Sequence, residues 1–402
     1  MVFDFDKPIE RSNTHSVKWD NLDTTFGAAD VLPMWVADMD FACPKPILDS
    51  IEERNRHGIF GYTTHPDSLY ESVIGWMKKR HGWNVAKEWI LYSPGVVTSL
   101  NLAIMSFTQP GDSVIIQSPV YPPFFSVVKN NDRTLVVNPL IEKSGYYSID
   151  FKNLEDQMAS GCKMMILCSP HNPVGRVWTR TELDRIAKLC EKYEVLLISD
   201  EIHSDLIMPG HKHTPIATVS QYIKQNSVTC IAPSKTFNVP GLTTSAVIIP
   251  NPKLRMEFKK TINRIGIGMS NVFGMVAMEA AYTHGESWLE DLIIYLDDNI
   301  NCLMEYLETN IPEIKVTKPQ GTYLVWLDCR ALNMDGKTLH KFMINKGKLG
   351  LNNGLDFGPD GEGFLRMNIA CPRVTLEEGL NRLNKAVKAW RNSNNQKDSK
   401  DI

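Results

Sequence analysis

Four short runs carry the residue types from which an amine-based active site can be built. Ala232-Pro233-Ser234-Lys235-Thr236-Phe237-Asn238 delivers one lysine from an apolar stretch to a small, polar turn. Ser199-Asp200-Glu201-Ile202-His203 brings a carboxylate, Ser169-Pro170-His171-Asn172-Pro173-Val174-Gly175 an amide, and Ser93-Pro94-Gly95-Val96-Val97 a glycine ahead of a helix-like segment. A lysine so placed can form a Schiff base with an aldehyde and then act as a base. A glycine-led helix N-terminus presents free N–H groups and a positive dipole end to an anion. Singly, each run has an ordinary reading: a solvated lysine, a helix cap or ion-pair carboxylate, and two turns.

Together they describe one ligand. An amine nucleophile, a carboxylate able to hold a pyridinium proton, an amide for a phenolate oxygen and a phosphate cradle match pyridoxal 5'-phosphate. Asp200 is expected to keep the ring nitrogen protonated, and Lys235 to carry the cofactor and then take the Cα proton of the substrate. Such a lysine must lose its charge readily, which burial and a neighbouring cation favour.

The elements that must position these groups form an α/β pattern in which short apolar runs alternate with amphipathic helical stretches. Strands are expected at Ser113–Gln117, Thr134–Val137, Lys163–Cys168, Val195–Ser199, Ser227–Ile231 and Thr244–Ile249, with helices over Thr98–Phe107 and Thr179–Tyr193. Three of the four motifs directly follow a strand, where open α/β sheets bind ligands. After about Asn271 the pattern shifts to long helices, Val272–Thr283 and Ser287–Thr309. A second α+β unit follows, with a strand at Gly321–Leu327, a helix at Gly336–Lys346, a strand at Gly363–Ile369 and a helix at Thr375–Trp390. The expected organisation is an arm contributing to a small domain (1–50), a large domain (51–288), a small α+β domain (289–390) and a disordered tail (391–402).

Composition narrows the partners. A net charge of −3 gives no footprint for nucleic acid or an acidic membrane, and no run reaches the length of a membrane span, so a small molecule is expected. The eight cysteines are scattered without a C-x-x-C pair or a cluster with histidine, which points to free thiols in a reducing cytoplasm and to no metal site. The first residues, Met1-Val2-Phe3-Asp4-Phe5-Asp6-Lys7, lack the basic and apolar regions of a secretory signal.

The ordered set Ser-Pro-Gly, Asn-Pro-x-Gly, Asp-Glu-Ile-His-x-Asp and Ser-Lys-Thr-Phe-Asn-x-x-Gly resembles fold type I pyridoxal-phosphate enzymes of the class I/II aminotransferase group, from about Asp4 to Trp390. Trp35-Val36-Ala37-Asp38-Met39-Asp40-Phe41, Tyr62 and His203 are similar to its cystathionine β-lyase subgroup, the MalY/PatB-like C–S lyases. The resemblance implies a large domain with a mostly parallel seven-stranded sheet and a smaller α+β domain. It implies Lys235 and Tyr121 as catalytic residues, Tyr121 stacking on the cofactor ring, Asn172 and His203 beside the ring oxygen, and Arg366 gripping an amino acid α-carboxylate. Ala37, Tyr121 and Asn172 complete the implied substrate contacts. Tyr62 would reach the phosphate in the neighbouring subunit of a homodimer. The chain departs from many aminotransferases in having Ala232 and Thr243 where they carry a serine and an arginine for the phosphate. The phosphate grip then falls to the backbone of Gly95, Val96 and Val97, with Ser234 and Tyr62 as helpers. The implied activity is β-elimination of cystathionine or other cysteine S-conjugates; an aminotransferase, or a regulatory protein that keeps the fold, are the alternatives.

Overall fold

A computed structural model describes residues 3–398. Eight strands form its main sheet: β1 (Ile90–Ser93), β2 (Ser113–Ser118), β3 (Thr134–Lys143), β4 (Tyr146–Ile149), β5 (Met164–Cys168), β6 (Leu196–Asp200), β7 (Ser227–Ile231) and β8 (Ser245–Ile248). Their spatial order is β1-β8-β7-β6-β5-β2-β3-β4. The centre, from β3 through β2, β5 and β6 to β7, is parallel, and antiparallel pairs flank it. Met164-Met165-Ile166-Leu167-Cys168 and Ser227-Val228-Thr229-Cys230-Ile231 are buried at every position, as strands covered on both faces require.

The expected sheet had seven strands; the structure has eight, and β1 and β4 are the two that the apolar runs did not announce. Both are only four residues long and both pair antiparallel at an edge. β4 is reached through Ser144 and Gly145, both at positive φ (52° and 82°), the backbone of a two-residue hairpin turn. Because that turn closes directly, β3 runs on to Lys143 rather than stopping at Val137.

Helices pack on this sheet through one apolar face. Arg180–Tyr193 buries Leu183, Ile186, Ala187 and Cys190, and starts at a capping box in which Thr179 and Glu182 satisfy each other's backbone N–H. A second, four-stranded antiparallel sheet contains β9 (Lys315–Val316), β10 (Leu324–Asp328), β11 (Asn352–Asn353) and β12 (Phe364–Asn368), in the order β9-β10-β12-β11. Helices Glu286–Asn310 and Arg373–Asp398 accompany it in a smaller α+β unit. The closing helix passes its expected end at Trp390, so 391–398 are helical rather than disordered; Arg391 forks onto Glu313 with two bonds of 2.7 Å. Residues 399–402 of the expected tail lie outside the described residues.

The N-terminal segment threads across the second unit. Leu32 and Pro33 pair in parallel with Leu349 and Gly350, Asn368 N–H donates to the Met34 carbonyl (2.9 Å), and Asp40 N–H to that of Ala370 (2.9 Å). All eight cysteines are free thiols. Among the described residues no helix is long and apolar enough to cross a membrane.

Candidate active site

Ten of the residues singled out by sequence line one cavity of about 200 Å³ at the carboxyl ends of the parallel strands: Ala37, Gly95, Val96, Val97, Tyr121, Asn172, Asp200, His203, Ser234 and Lys235. The topology explains the gathering. β6 ends at Asp200, β5 leads to Asn172, β2 to Tyr121 and β7 to the short helix Pro233–Thr236 that bears Lys235. Asn172 and Tyr121 are tied by a Tyr121 N–H to Asn172 carbonyl bond (3.1 Å). A wider, more open groove of about 620 Å³ between helices Lys45–His57 and Val272–His284 contains none of these groups.

Lys235 Nζ donates to the Ala37 carbonyl (2.7 Å). Burial, then the Arg366 charge, pull its pKa down to about 8 against the opposing pull of Asp38 and Asp200. Asp200 is 5% exposed with no basic side chain bonded to it; burial pushes its pKa up to about 7, while the Ile202 N–H (3.1 Å) and Lys235 pull it back. A carboxylate in that condition is suited to a proton donor delivered with a ligand. His203 is buried with Nδ1 unpartnered, and burial, Lys235 and Arg366 bring its pKa to about 3, so the ring is neutral. Burial also raises the Tyr121 phenol above its ordinary value, with Arg366 opposing.

Arg366 comes from β12, outside the main sheet, and is 4% exposed. Its guanidinium donates to Asn172 Oδ1 (3.1 Å), Asn352 Oδ1 (2.6 Å) and the Trp35 carbonyl (3.0 Å), and lies 4.7 Å over the Phe357 ring. It pairs with no carboxylate among the described residues, and Nε has no partner. Burial accordingly pulls its pKa down to about 10. No structural ion pair competes for it among the described residues, and two of its five N–H donors, that on Nε and one on Nη1, carry no bond and are left for an anion. Because a guanidinium only donates, its bond to Asn172 Oδ1 also fixes the amide, leaving the Asn172 NH2 for a ligand oxygen.

At the other end, helix Val96–Phe107 begins directly after Gly95, two residues earlier than expected, and no side chain caps it. Its first N–H groups are available to an anion. A Cβ built on Gly95 meets nothing within 4 Å, so the approach to these amides is open. Ser234 and Thr243 line the same space. Tyr62 does not: it is 95% exposed, on a loop with exposed Ile59 and Phe60. The residues present therefore fit pyridoxal phosphate, with a phosphate cradle, an amide donor, a carboxylate in want of a proton and an amine of low pKa.

Three contributors have no role in the sequence reading. Asp205, the last residue of Asp-Glu-Ile-His-x-Asp, accepts from Thr236 Oγ1 (2.8 Å), His81 Nε2 (2.8 Å) and Trp76 Nε1 (3.1 Å), anchoring the turn next to Lys235. Asn238 clasps the arm through the Met39 N–H and the Met39 and Phe41 carbonyls. Tyr323 donates to the Ala37 carbonyl (2.8 Å). The Asp-Glu-Ile-His-x-Asp and Ser-Lys-Thr-Phe-Asn spacing pointed to the first two; nothing local marked the third.

Residues 29–383 match the family model for aminotransferase class I and II. The chain is 48% identical over 384 residues to cystathionine beta-lyase PatB of Bacillus subtilis, covering 95% of this chain and 99% of that protein. Among solved structures, a PLP-bound putative aminotransferase from Clostridium difficile 630 superimposes with a TM-score of 0.94 at 46% identity, covering 96% of this chain and all of the other. Cystalysin from Treponema denticola, which contains pyridoxal 5'-phosphate, also gives 0.94 at 41% identity, covering 97% of this chain and 100% of its own.

Proposed function

The chain belongs to the class I and II aminotransferase family, and from that membership we propose that it is a carbon–sulfur lyase that β-eliminates L-cystathionine or related cysteine S-conjugates. Pyridoxal 5'-phosphate is its cofactor. When bound, the cofactor supplies an electron sink that makes the substrate Cα proton acidic. The chain's own groups do the rest. Arg366 would grip the α-carboxylate, and Asn172 NH2 would donate to the ring oxygen with His203 beside it. Asp200 would hold a proton at the ring nitrogen, Tyr121 would pack on the ring, and the backbone of Gly95, Val96 and Val97 would hold the phosphate with help from Ser234. Lys235 Nζ, resting on the Ala37 carbonyl, takes the Cα proton and passes it to the sulfur as the Cβ–S bond breaks. In balance, cystathionine and water give a thiol, pyruvate and ammonia.

The observation that carries the reading is the half-buried Lys235 amine, resting on the Ala37 carbonyl in the field of Arg366, Asp38 and Asp200, with its pKa brought to about 8, which makes it a base near neutrality. The choice of elimination rests on the 48% identity to the Bacillus subtilis β-lyase. Amino transfer uses the same groups, and the likeness to the Clostridium difficile protein favours it as the second reading. Purified enzyme given cystathionine should release pyruvate; efficient transfer to 2-oxoglutarate with no pyruvate would reject elimination. A second copy of the chain is the proposed source of the tyrosine missing from the cavity, since Tyr62, Ile59 and Phe60 form an exposed apolar tip suited to burial in a partner.

A further inference from the structure

One acceptor in the cavity serves two donors. The Ala37 carbonyl receives Lys235 Nζ at 2.7 Å and Tyr323 Oη at 2.8 Å, placing the phenol within two hydrogen-bond lengths of the amine. Tyr323 is 1% exposed and set firmly: its carbonyl accepts from the Ile369 N–H (3.0 Å), and Thr322 ahead of it donates to the Leu206 carbonyl (2.8 Å). The acceptor is equally fixed. Asn368 Nδ2 holds the carbonyls on either side, those of Val36 and Asp38, at 2.6 Å each, and Arg11 forks onto the Asp38 carboxylate at 2.8 and 3.0 Å.

We propose that Tyr323 is a positioning residue for the base: by donating to the Ala37 carbonyl it fixes the rest on which the free Lys235 amine docks, and by occupying part of that carbonyl's capacity it lets the amine shed its proton more readily. The inference rests on Lys235 being the base, as argued above. A carbonyl has two lone pairs, and donors that share it compete, the more so in a dry site where the bond to an ammonium is strong. A bond to the charged form favours that form, so a competitor for the same oxygen disfavours it. The other groups facing Lys235 are Asp200 at the end of β6, neutral His203 in the turn after it, Arg366 on β12, and Asp38 of the arm, whose charge Arg11 already offsets. Tyr323 is thus the group that acts through the acceptor rather than through charge. Its ring meets His203 edge-on at 6.1 Å, with burial keeping the phenol protonated.

Tyr323→Phe keeps the ring and removes only the donor. In the full chain stripped of cofactor, with Lys235 assigned by its disappearance in Lys235→Met, heteronuclear NMR should show the lysine titration midpoint rising by about 0.5 pH unit. In the loaded enzyme the acid limb of kcat should move the same way, with kcat down about threefold below the midpoint and KM unchanged. A midpoint that stays put or falls overturns the proposal. A reciprocal measurement covers the case in which Tyr323→Phe folds poorly: in Lys235→Met the Tyr323 hydroxyl proton should shift downfield as it gains sole use of the carbonyl, and no shift overturns the proposal as well. Neither NMR readout depends on which reaction is catalysed, so a failed lyase assay and a failed inference are distinguishable.

Discussion

On the Asn172 side of the cavity, whose lining does not itself include Arg366, that arginine is held by Asn172, Asn352 and the Trp35 carbonyl, while at the other end Gly95–Val97 offer backbone N–H groups and Thr243 stands where an arginine is common in the family. The first end is made of side chains locked inside one chain. The second is a helix terminus, and Tyr62, the tyrosine proposed to assist it, is exposed to solvent. Binding at a side-chain fork is specific and sensitive to single substitutions, whereas a backbone cradle survives side-chain change and is damaged by bulk. The substrate end is therefore expected to be self-sufficient, and the phosphate end to be completed by assembly.

Substitutions at the two ends should fail in different ways. Arg366→Lys keeps the charge and loses the fork, and kcat/KM for an α-amino acid should fall about a hundredfold, mostly through KM, from the loss of charge-assisted bonds worth about 1.5–3 kcal/mol each. Steady-state kinetics checks this, and cofactor affinity should change far less, only through the looser Asn172 amide that Arg366 otherwise fixes. Gly95→Ala should do the opposite. Gly95 has φ 174°, an extended backbone open to any residue, and its Cβ would meet no protein atom. The cofactor-free fold should keep its melting temperature while cofactor affinity, read by fluorescence titration, drops about tenfold from crowding at the cradle. If both properties fall together, the open-cradle picture is wrong.

Between the two ends lies the pH response. With Lys235 near 8 and Asp200 near 7, raising the pH frees the amine and ionises the carboxylate, and His203 near 3 stays neutral throughout. Turnover should therefore climb about tenfold from pH 7 to pH 9, following the free-amine fraction; a flat profile would remove Lys235 as the titrating base. The smallest effect belongs to the assembly: Tyr62→Phe should weaken cofactor binding about fivefold, the worth of one hydrogen bond, without touching substrate KM. Equal weakening in a forced monomer would show that Tyr62 acts within its own chain.

The strand-end motifs were legible because each is local: an apolar run ends and a polar residue follows, and parallel topology brings such ends together. Asp200, Asn172 and Lys235 were read this way, and Gly95 from the helix-like segment that follows it. What escaped depended on pairings across the chain. Ala37 meets Lys235 over 198 residues and Tyr323 over 286, and no periodicity encodes such a meeting. Tyr323 sits at the head of a strand, where an aromatic needs no explanation beyond packing. The edge strands β1 and β4 escaped because four residues carry too little pattern. The closing helix outran its expected end because 391–398 has no apolar residue to mark a helical period, while the Arg391 fork to Glu313 ties down the start of that stretch.

The Trp35 carbonyl and the Arg366 guanidinium that grips it are 331 residues apart. Seen in the order of synthesis, the phosphate cradle, Asp200 and Lys235 all leave the ribosome well before Arg366, and domains tend to fold as they emerge. A chain interrupted anywhere between Ser245 and Phe364 would hold every group proposed for the cofactor and no anchor for an amino acid. With the roles proposed for these residues, substrate recognition would be completed only once β12 has been made, after every group assigned to the cofactor.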